Sequence, residues 1–324
     1  MSTQTLEHDH VFLGAGHERN ERRVWFVIAL TAVMMVVEIG AGTLFGSMAL
    51  VADGWHMSTH ASALLISAVA YFYARKQARN PRFTFGTGKL GDLAGFASAI
   101  ILAMIALLMA WESALRLANP VPISVAQAIG VAVIGLAVNL VSALLLKDSG
   151  PHHGHSYHHH HHHHHGHHTH HDHRDHSHHG GGVDNNMRAA YTHVLADALT
   201  SVLAIAALSF GSLYGWIWLD PLMGIVGGFI VAQWAWGLMK SSGRVLLDAI
   251  AEGEELPGEI RKVIETGGDR ITDLHVWQVG PGHHAAIVAV ATSEPREPAF
   301  YRAKLESLEE LSHVTVEVTQ LQAA

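Results

Sequence analysis

Six apolar stretches, each about 20 residues or longer, dominate this chain and leave it little choice of fold. They run roughly from Val24 to Phe45, Met48 to Tyr73, Leu90 to Leu115, Ile123 to Leu146, Met187 to Phe210 and Leu213 to Met239. A run of about 20 apolar residues matches the ~30 Å hydrocarbon core of a bilayer. Buried helices of a soluble protein seldom come this long, this often and this free of charge. Charged residues make up 15% of the chain, against about a quarter in soluble domains. They crowd the first two dozen residues, the short connectors and the C-terminal tail. The reading is an α-helical membrane protein with a cytoplasmic N-terminal segment (1–22), a six-span transmembrane domain (23–242) and a cytoplasmic C-terminal domain (243–324).

Lys and Arg positions set the expected orientation. Arg19, Arg22 and Arg23 precede the first span; Arg75, Lys76, Arg79, Arg82 and Lys89 follow the second. Lys147, Arg174 and Arg188 flank the long connector after the fourth, and Lys240 and Arg244 follow the sixth. The connectors on the opposite side carry only Arg116. Both termini are therefore expected in the cytoplasm. The first twenty residues, with His8, Asp9, His10 and His17, are polar, so the first span is expected to serve as its own insertion signal. The chain has no cysteine, which rules out disulfides and thiolate ligation, so any metal must be held by nitrogen and oxygen. A formal net charge of −8 and a pI near 6.4 give no reason to expect a nucleic-acid partner.

Residues 148–186 differ from everything else. Nineteen histidines fall between His152 and His179, including the unbroken run His158, His159, His160, His161, His162, His163, His164 and His165. Gly, Ser, Asp and Thr fill the gaps, so the tract cannot form a core and is expected to be disordered. Its place inside a wider His/Gly/Asp tract argues against a purification tag. It reads as a multivalent, weak metal trap, because neutral imidazole is the commonest transition-metal ligand. The C-terminal tail reads as αββαβ: a helix at Pro257–Thr266, strands at Ile271–Val279 and Ala285–Thr292, a helix at Glu297–Leu311 and a strand at Val314–Val318.

Ionisable residues inside a bilayer are costly and are functional candidates by default. The second span holds Asp53, His56 and His60; the fifth holds His193 and Asp197. His56/His60 and His193/Asp197 are both i, i+4 pairs, so each projects from one helical face. If the two faces meet, three imidazoles and one carboxylate supply a tetrahedral divalent-metal set. Asp53 reads either as an orienter of such a ligand or as a helix-end residue near water. Glu38 and Asn139 lie deep in their spans, lining a metal path or bonding a neighbouring helix. Asp92 and Glu112 lie near span ends, within reach of water. His56-Met-Ser-Thr-His60 lacks the glutamate of a zinc protease, and Gly86-Thr-Gly-Lys89 lacks the rest of a phosphate loop, so no enzyme is indicated.

These residues carry a family resemblance. Leu50-Val-Ala-Asp-Gly-Trp-His56, Phe85-Gly-Thr-Gly-Lys-Leu-Gly-Asp92, Val138-Asn-Leu-Val-Ser142, His193-Val-Leu-Ala-Asp197, Asp220-Pro-Leu and Asp273-Leu-His-Val-Trp277 resemble the cation diffusion facilitators, from Val24 to Val318. The resemblance implies a proton-coupled exporter of divalent metals, a homodimer with a ferredoxin-like C-terminal domain, and a bacterial cytoplasmic (inner) membrane location. It implies no prosthetic group, only transported Co²⁺, Ni²⁺ or Zn²⁺ at the transmembrane site. Many zinc-exporting members carry His-x-x-x-Asp in the second span, where this chain has His60. The His56-x-x-x-His60 pair and the Gly-Thr-Gly-Lys-Leu-Gly-Asp92 stretch look like the cobalt/nickel-efflux (DmeF-type) branch. Members often bind further metal in the C-terminal domain, for which His275, His283, His284 and His313 are available; each reads equally as a surface or core histidine. The alternatives are a zinc/cadmium-preferring exporter of the same family and a membrane-anchored His-rich metal buffer or sensor.

Overall fold

A computed structural model describes residues 12–13, 16–45, 48–119, 125–147, 184–216, 218–250 and 254–321. Six long helices come first: α1 His17–Phe45, α2 Met48–Gln77, α3 Leu90–Ala118, α4 Val125–Leu146, α5 Asn185–Tyr214 and α6 Leu219–Leu246. A small domain follows: α7 Leu256–Ile264, β1 Arg270–Gly280, β2 His283–Thr292, α8 Pro298–Leu305 and β3 Leu311–Gln320. The long helices have 22 to 30 residues. At ~1.5 Å per residue each reaches across a bilayer, and a helix satisfies its own backbone there. Five are long and apolar enough to cross a membrane among the described residues. The sixth is α2, with 30 residues.

Their outer faces are apolar. Leu107, Phe229 and Leu144 are more than 70% exposed, which suits lipid and would be unusual in water. Tyr214, Trp216 and Trp218 follow one another around the α5–α6 turn, with ring centroids 5.3 and 6.4 Å apart. Aromatic residues at this level mark a membrane interface.

Inside, α5 is shared between two groups of helices. Val24 and Val27 of α1, Leu64, Ala68 and Tyr71 of α2, Leu146 of α4 and Met187, Ala190 and Val194 of α5 form one cluster. On its other side, Ala196 of α5 packs with Leu102 and Ala106 of α3 and Val231 and Ala235 of α6. Helices α3 and α6 approach through small residues. A Cβ at Gly228 would lie 2.9 Å from the Ala106 carbonyl oxygen, and one at Gly224 would overlap Ser113 Oγ. Without a hydrophobic drive between spans, such small-residue seams let helices pack closely.

The terminal domain has the expected αββαβ order. Its sheet runs β1-β2-β3, with β1/β2 antiparallel and β2/β3 parallel. Leu256, Ile260 and Ile264 of α7, spaced i, i+4, i+8, bury one helical stripe against Val276, Val288, Val290 and Val316, together with Tyr301 and Leu305 of α8.

Several boundaries differ from the sequence reading, among them the end of α6 at Leu246 instead of Met239. Helix α1 starts at His17, so Arg19, Arg22 and Arg23 belong to it rather than to a preceding segment. The sixth helix starts at Leu219, not Leu213: α5 runs on to Tyr214 and ends at Gly215, which adopts φ 73° and returns its N–H to the Gly211 carbonyl. Helix α8 stops at Leu305, and Leu311 opens β3 instead of closing the helix. Successive turns, Leu308 N–H to Leu305 O and Leu311 N–H to Leu308 O, intervene. Leu308 and Leu311 still reach the core, which is why their spacing looked helical. The His-rich tract, including His158 to His165, lies outside the described residues.

Candidate metal site

His193 and Asp197 share one buried face of α5, with 1% and 8% of their surface exposed. His193 Nε2 lies 3.1 Å from the Ser98 carbonyl oxygen of α3. A carbonyl only accepts, so Nε2 carries the hydrogen and the lone pair of the neutral ring sits on Nδ1. A backbone carbonyl holding one imidazole nitrogen and leaving the other to a metal is the usual orienting arrangement for a histidine ligand. The Asp197 carbonyl accepts from Thr200 Oγ1 at 3.0 Å, one turn further on.

Helix α2, which carries Asp53, His56 and His60, packs against α5: Leu64, four residues after His60, shares a cluster with Val194, next to His193. The helices with the two i, i+4 pairs are therefore brought together. The side chains of Asp53, His56 and His60 lie outside the described residues. Glu38 of α1 and Asn139 of α4 are buried within the bundle, 3% and 4% exposed.

Asp92 does not reach water, contrary to the sequence expectation: it is 2% exposed and accepts from Asn185 Nδ2 at 2.7 Å. It belongs to a polar node at the start of α5. Asp184 caps the helix, accepting at Oδ1 from the backbone N–H groups of Asn186 and Met187, each at 3.1 Å. Its Oδ2 accepts from the Tyr71 hydroxyl of α2 at 2.5 Å and from Asn20 Nδ2 of α1 at 3.0 Å. Asn185 Oδ1 accepts from Ser241 Oγ of α6 at 2.8 Å, and Asn186 Nδ2 donates to the Ser67 carbonyl of α2 at 2.9 Å. The sequence reading missed this node. Asp184-Asn185-Asn186 ahead of an apolar span is a helix-start signal, but its tertiary partners are not local.

The α2–α3 connector joins the helices to the terminal domain. Thr87 Oγ1 donates to the Ala74 carbonyl at 2.8 Å, Lys89 pairs with Asp248, and Phe85 stands edge-on to Trp277 and His313 at 5.7 and 5.8 Å. Gly88 is required at this contact, because a Cβ there would run into the backbone of Val279, Gly280 and Phe12.

His283, His284 and His313 occupy neighbouring register positions at the start of β2 and β3, and His275 lies further along the sheet on β1. His275 is exposed beside Asp273, its Nε2 3.0 Å from the carboxylate. His283 Nδ1 lies 2.7 Å from Ser312 Oγ, His284 Nδ1 lies 3.8 Å from Glu310, and His313 rests against Phe85. Burial, and then the charge of neighbouring His284, push His283 below its ordinary pKa. Among the described residues no three His, Cys, Asp or Glu side chains converge as a metal group.

At the opposite end of the bundle a cavity of about 160 Å³ opens between α3, α5 and α6, lined by Ser113, Arg116, Thr200, Asp220 and Gly224 among others.

A multi-pass helical bundle with a buried His/Asp pair and a small αββαβ domain defines an integral membrane transporter class. Residues 24–247, more than half of the chain, match the family described as the cation efflux transmembrane domain. The "Zinc transporter ZitB" of Escherichia coli (strain K12) is 32% identical over 275 residues, 84% of this chain and 78% of the relative. The "Metal cation efflux system protein CzcD" of Cupriavidus metallidurans is 28% identical over 316 residues, 94% of this chain and 90% of the relative. The "Cadmium, cobalt and zinc/H(+)-K(+) antiporter" of Bacillus subtilis is 28% identical over 275 residues, 83% and 79% of the two chains. The chain belongs to the cation efflux family, the cation diffusion facilitators, which are secondary transporters and not enzymes.

Proposed function

We propose that this protein exports divalent transition-metal ions from the cytoplasm in exchange for protons, as a homodimer in a bacterial inner membrane, with His56, His60, His193 and Asp197 as the ligands. The observation that carries the reading is the buried His193, oriented by the Ser98 carbonyl and one turn from Asp197, inside a cation-efflux domain. Metal and protons compete for the same nitrogens, because imidazole ordinarily titrates near pH 6.5. The site loads from the cytoplasm, the helices rock, and protons entering from outside displace the metal. With both termini cytoplasmic, the Lys- and Arg-rich connectors lie on the side of the terminal domain.

Co²⁺ and Ni²⁺ are the proposed principal substrates. An imidazole at position 60 in place of a carboxylate makes the ligand set less anionic and richer in nitrogen, which suits Co²⁺ and Ni²⁺ as well as Zn²⁺. A zinc- or cadmium-preferring exporter fits the relatives equally, since two of them are named for zinc and one of those also for cadmium and cobalt. The His-rich tract would concentrate metal at the cytoplasmic mouth, and Glu38 and Asn139 would line the path. In cells stripped of other exporters, wild-type protein should lower cell-associated Co²⁺ or Ni²⁺, while His193→Ala and Asp197→Ala, present at equal levels, should behave as empty vector. Retained efflux in either variant would remove that residue from the site.

A further inference from the structure

The node at the start of α5 closes one end of the bundle. Four of its members are buried, Asn185 at 3% exposed, Asp92 at 2%, and Asn186 and Ser67 at 0%, while Asp184 is half-buried at the rim. The backbones of α3 and α5 also meet here. A Cβ at Gly95 would lie 3.0 Å from the Asn185 carbonyl oxygen, and one at Gly91 would lie 3.5 Å from Asn186 Cβ. His193 is eight residues beyond Asn185, about 12 Å deeper along the helix. A route to it along α5 from the terminal-domain side crosses this node. On the far side, the cavity at Thr200 begins only three residues past Asp197. Among the described residues, polar contacts join the helices at the domain end, an apolar cavity of about 410 Å³ lies beside them between α2 and α3, and the cavity at the other end is lined by Arg116 and Asp220.

The seal is polar. Parting helices joined by side-chain hydrogen bonds exchanges protein partners for water at little net cost. Parting an apolar seam would wet apolar surface. A hydrogen-bonded seal spanning α1, α2, α3, α5 and α6 is therefore suited to repeated opening. We propose that Asp184, Asn185, Asn186 and Asp92 form the cytoplasmic gate of the transport cycle, shut in this structure, and that metal loads only when the start of α5 parts from α3. This rests on the export reading above.

The test uses the absence of native cysteine. The 3.5 Å separation at Gly91 and Asn186 matches the ~3.5–4.5 Å between Cβ atoms of a disulfide. Full-length Gly91→Cys/Asn186→Cys protein in liposomes should move Zn²⁺ and Co²⁺ when reduced. Oxidation should lower the rate at least tenfold, dithiothreitol should restore it, and oxidant should leave each single-cysteine variant unchanged. Equal rates for the oxidised, verified-crosslinked and reduced proteins would overturn the gate while leaving export intact. No flux from the wild-type protein either would overturn export and the gate with it. A second measurement avoids substituting Asn186. A cysteine at Ala190, which is fully buried just beyond the gate, should react at least fivefold faster with a membrane-impermeant thiol reagent from the cytoplasmic side once Tyr71→Phe loosens Asp184. An unchanged labelling rate would contradict the proposal.

Discussion

Gly228 offers the sharpest test of how the helices pack. Alanine there would place a Cβ 2.9 Å from the Ala106 carbonyl oxygen and 3.2 Å from Ala110 Cβ, whereas unstrained carbon contacts lie at about 3.5–4.0 Å. Neither neighbour is the end of a flexible side chain, so α6 must back away from α3. Overpacking of this kind costs about 1–3 kcal/mol, against a gain of about 0.8–1 kcal/mol from replacing glycine in a helix. Gly237→Ala, on the same helix with nothing within 4 Å, collects the same gain without the clash. The difference between the two variants therefore isolates packing, at about 1–3 kcal/mol. With about 2–4 °C per kcal/mol for a domain of this size, Gly228→Ala should melt roughly 2–12 °C below Gly237→Ala, followed by tryptophan fluorescence in detergent. Gly224→Ala should fall between them, because the worse of its two contacts, with Ser113 Oγ, is relieved by rotation and only the one with Ser113 Cβ at 3.1 Å stays. Equal melting temperatures for the Gly228 and Gly237 variants would refute the close α3–α6 approach.

In the terminal domain, His283 is held below its ordinary pKa near 6.5. The fold resists a proton that the unfolded chain accepts, so this contribution is whole above pH 6.5 and is lost as pH falls towards the folded value. Thermal melts between pH 7.5 and 5 should show the loss, and His283→Gln should flatten it. Gly88→Ala should lift the α2–α3 connector off β1 and the Phe12 segment, and speed tryptic cleavage at exposed Arg82 severalfold. Ile260→Ala, at a fully buried position, should cost the terminal domain about 2–5 kcal/mol, read from its denaturant midpoint.

Periodicity and length made most of the fold legible. The six spans and the αββαβ order depend on signals carried within each segment: runs of apolar residues, and alternation such as Val314, Val316 and Val318. Boundaries were less legible wherever a tertiary contact imitated a local pattern. Leu308 and Leu311 were spaced for a helix, but they serve the core from a turn and a strand. The Gly224/Gly228 spacing was present in the sequence, yet only packing shows that α3 is its partner. The His193/Asp197 pair was visible because charge in an apolar span is rare. Its Ser98 partner is a backbone carbonyl and has no sequence signature. Asp92 looked like a span-end acid near water, and only the fold places Asn185 over it.

The central claim is metal/proton exchange through a site that includes His193 and Asp197. Its most direct test is purified protein in liposomes with an entrapped pH indicator, challenged in turn with Co²⁺, Ni²⁺, Zn²⁺ and Mn²⁺, beside Asp197→Ala. Proton movement driven by Co²⁺ or Ni²⁺ and abolished by the substitution is the predicted result. Tight metal binding with no flux of any ion, or flux that persists in Asp197→Ala, would contradict it.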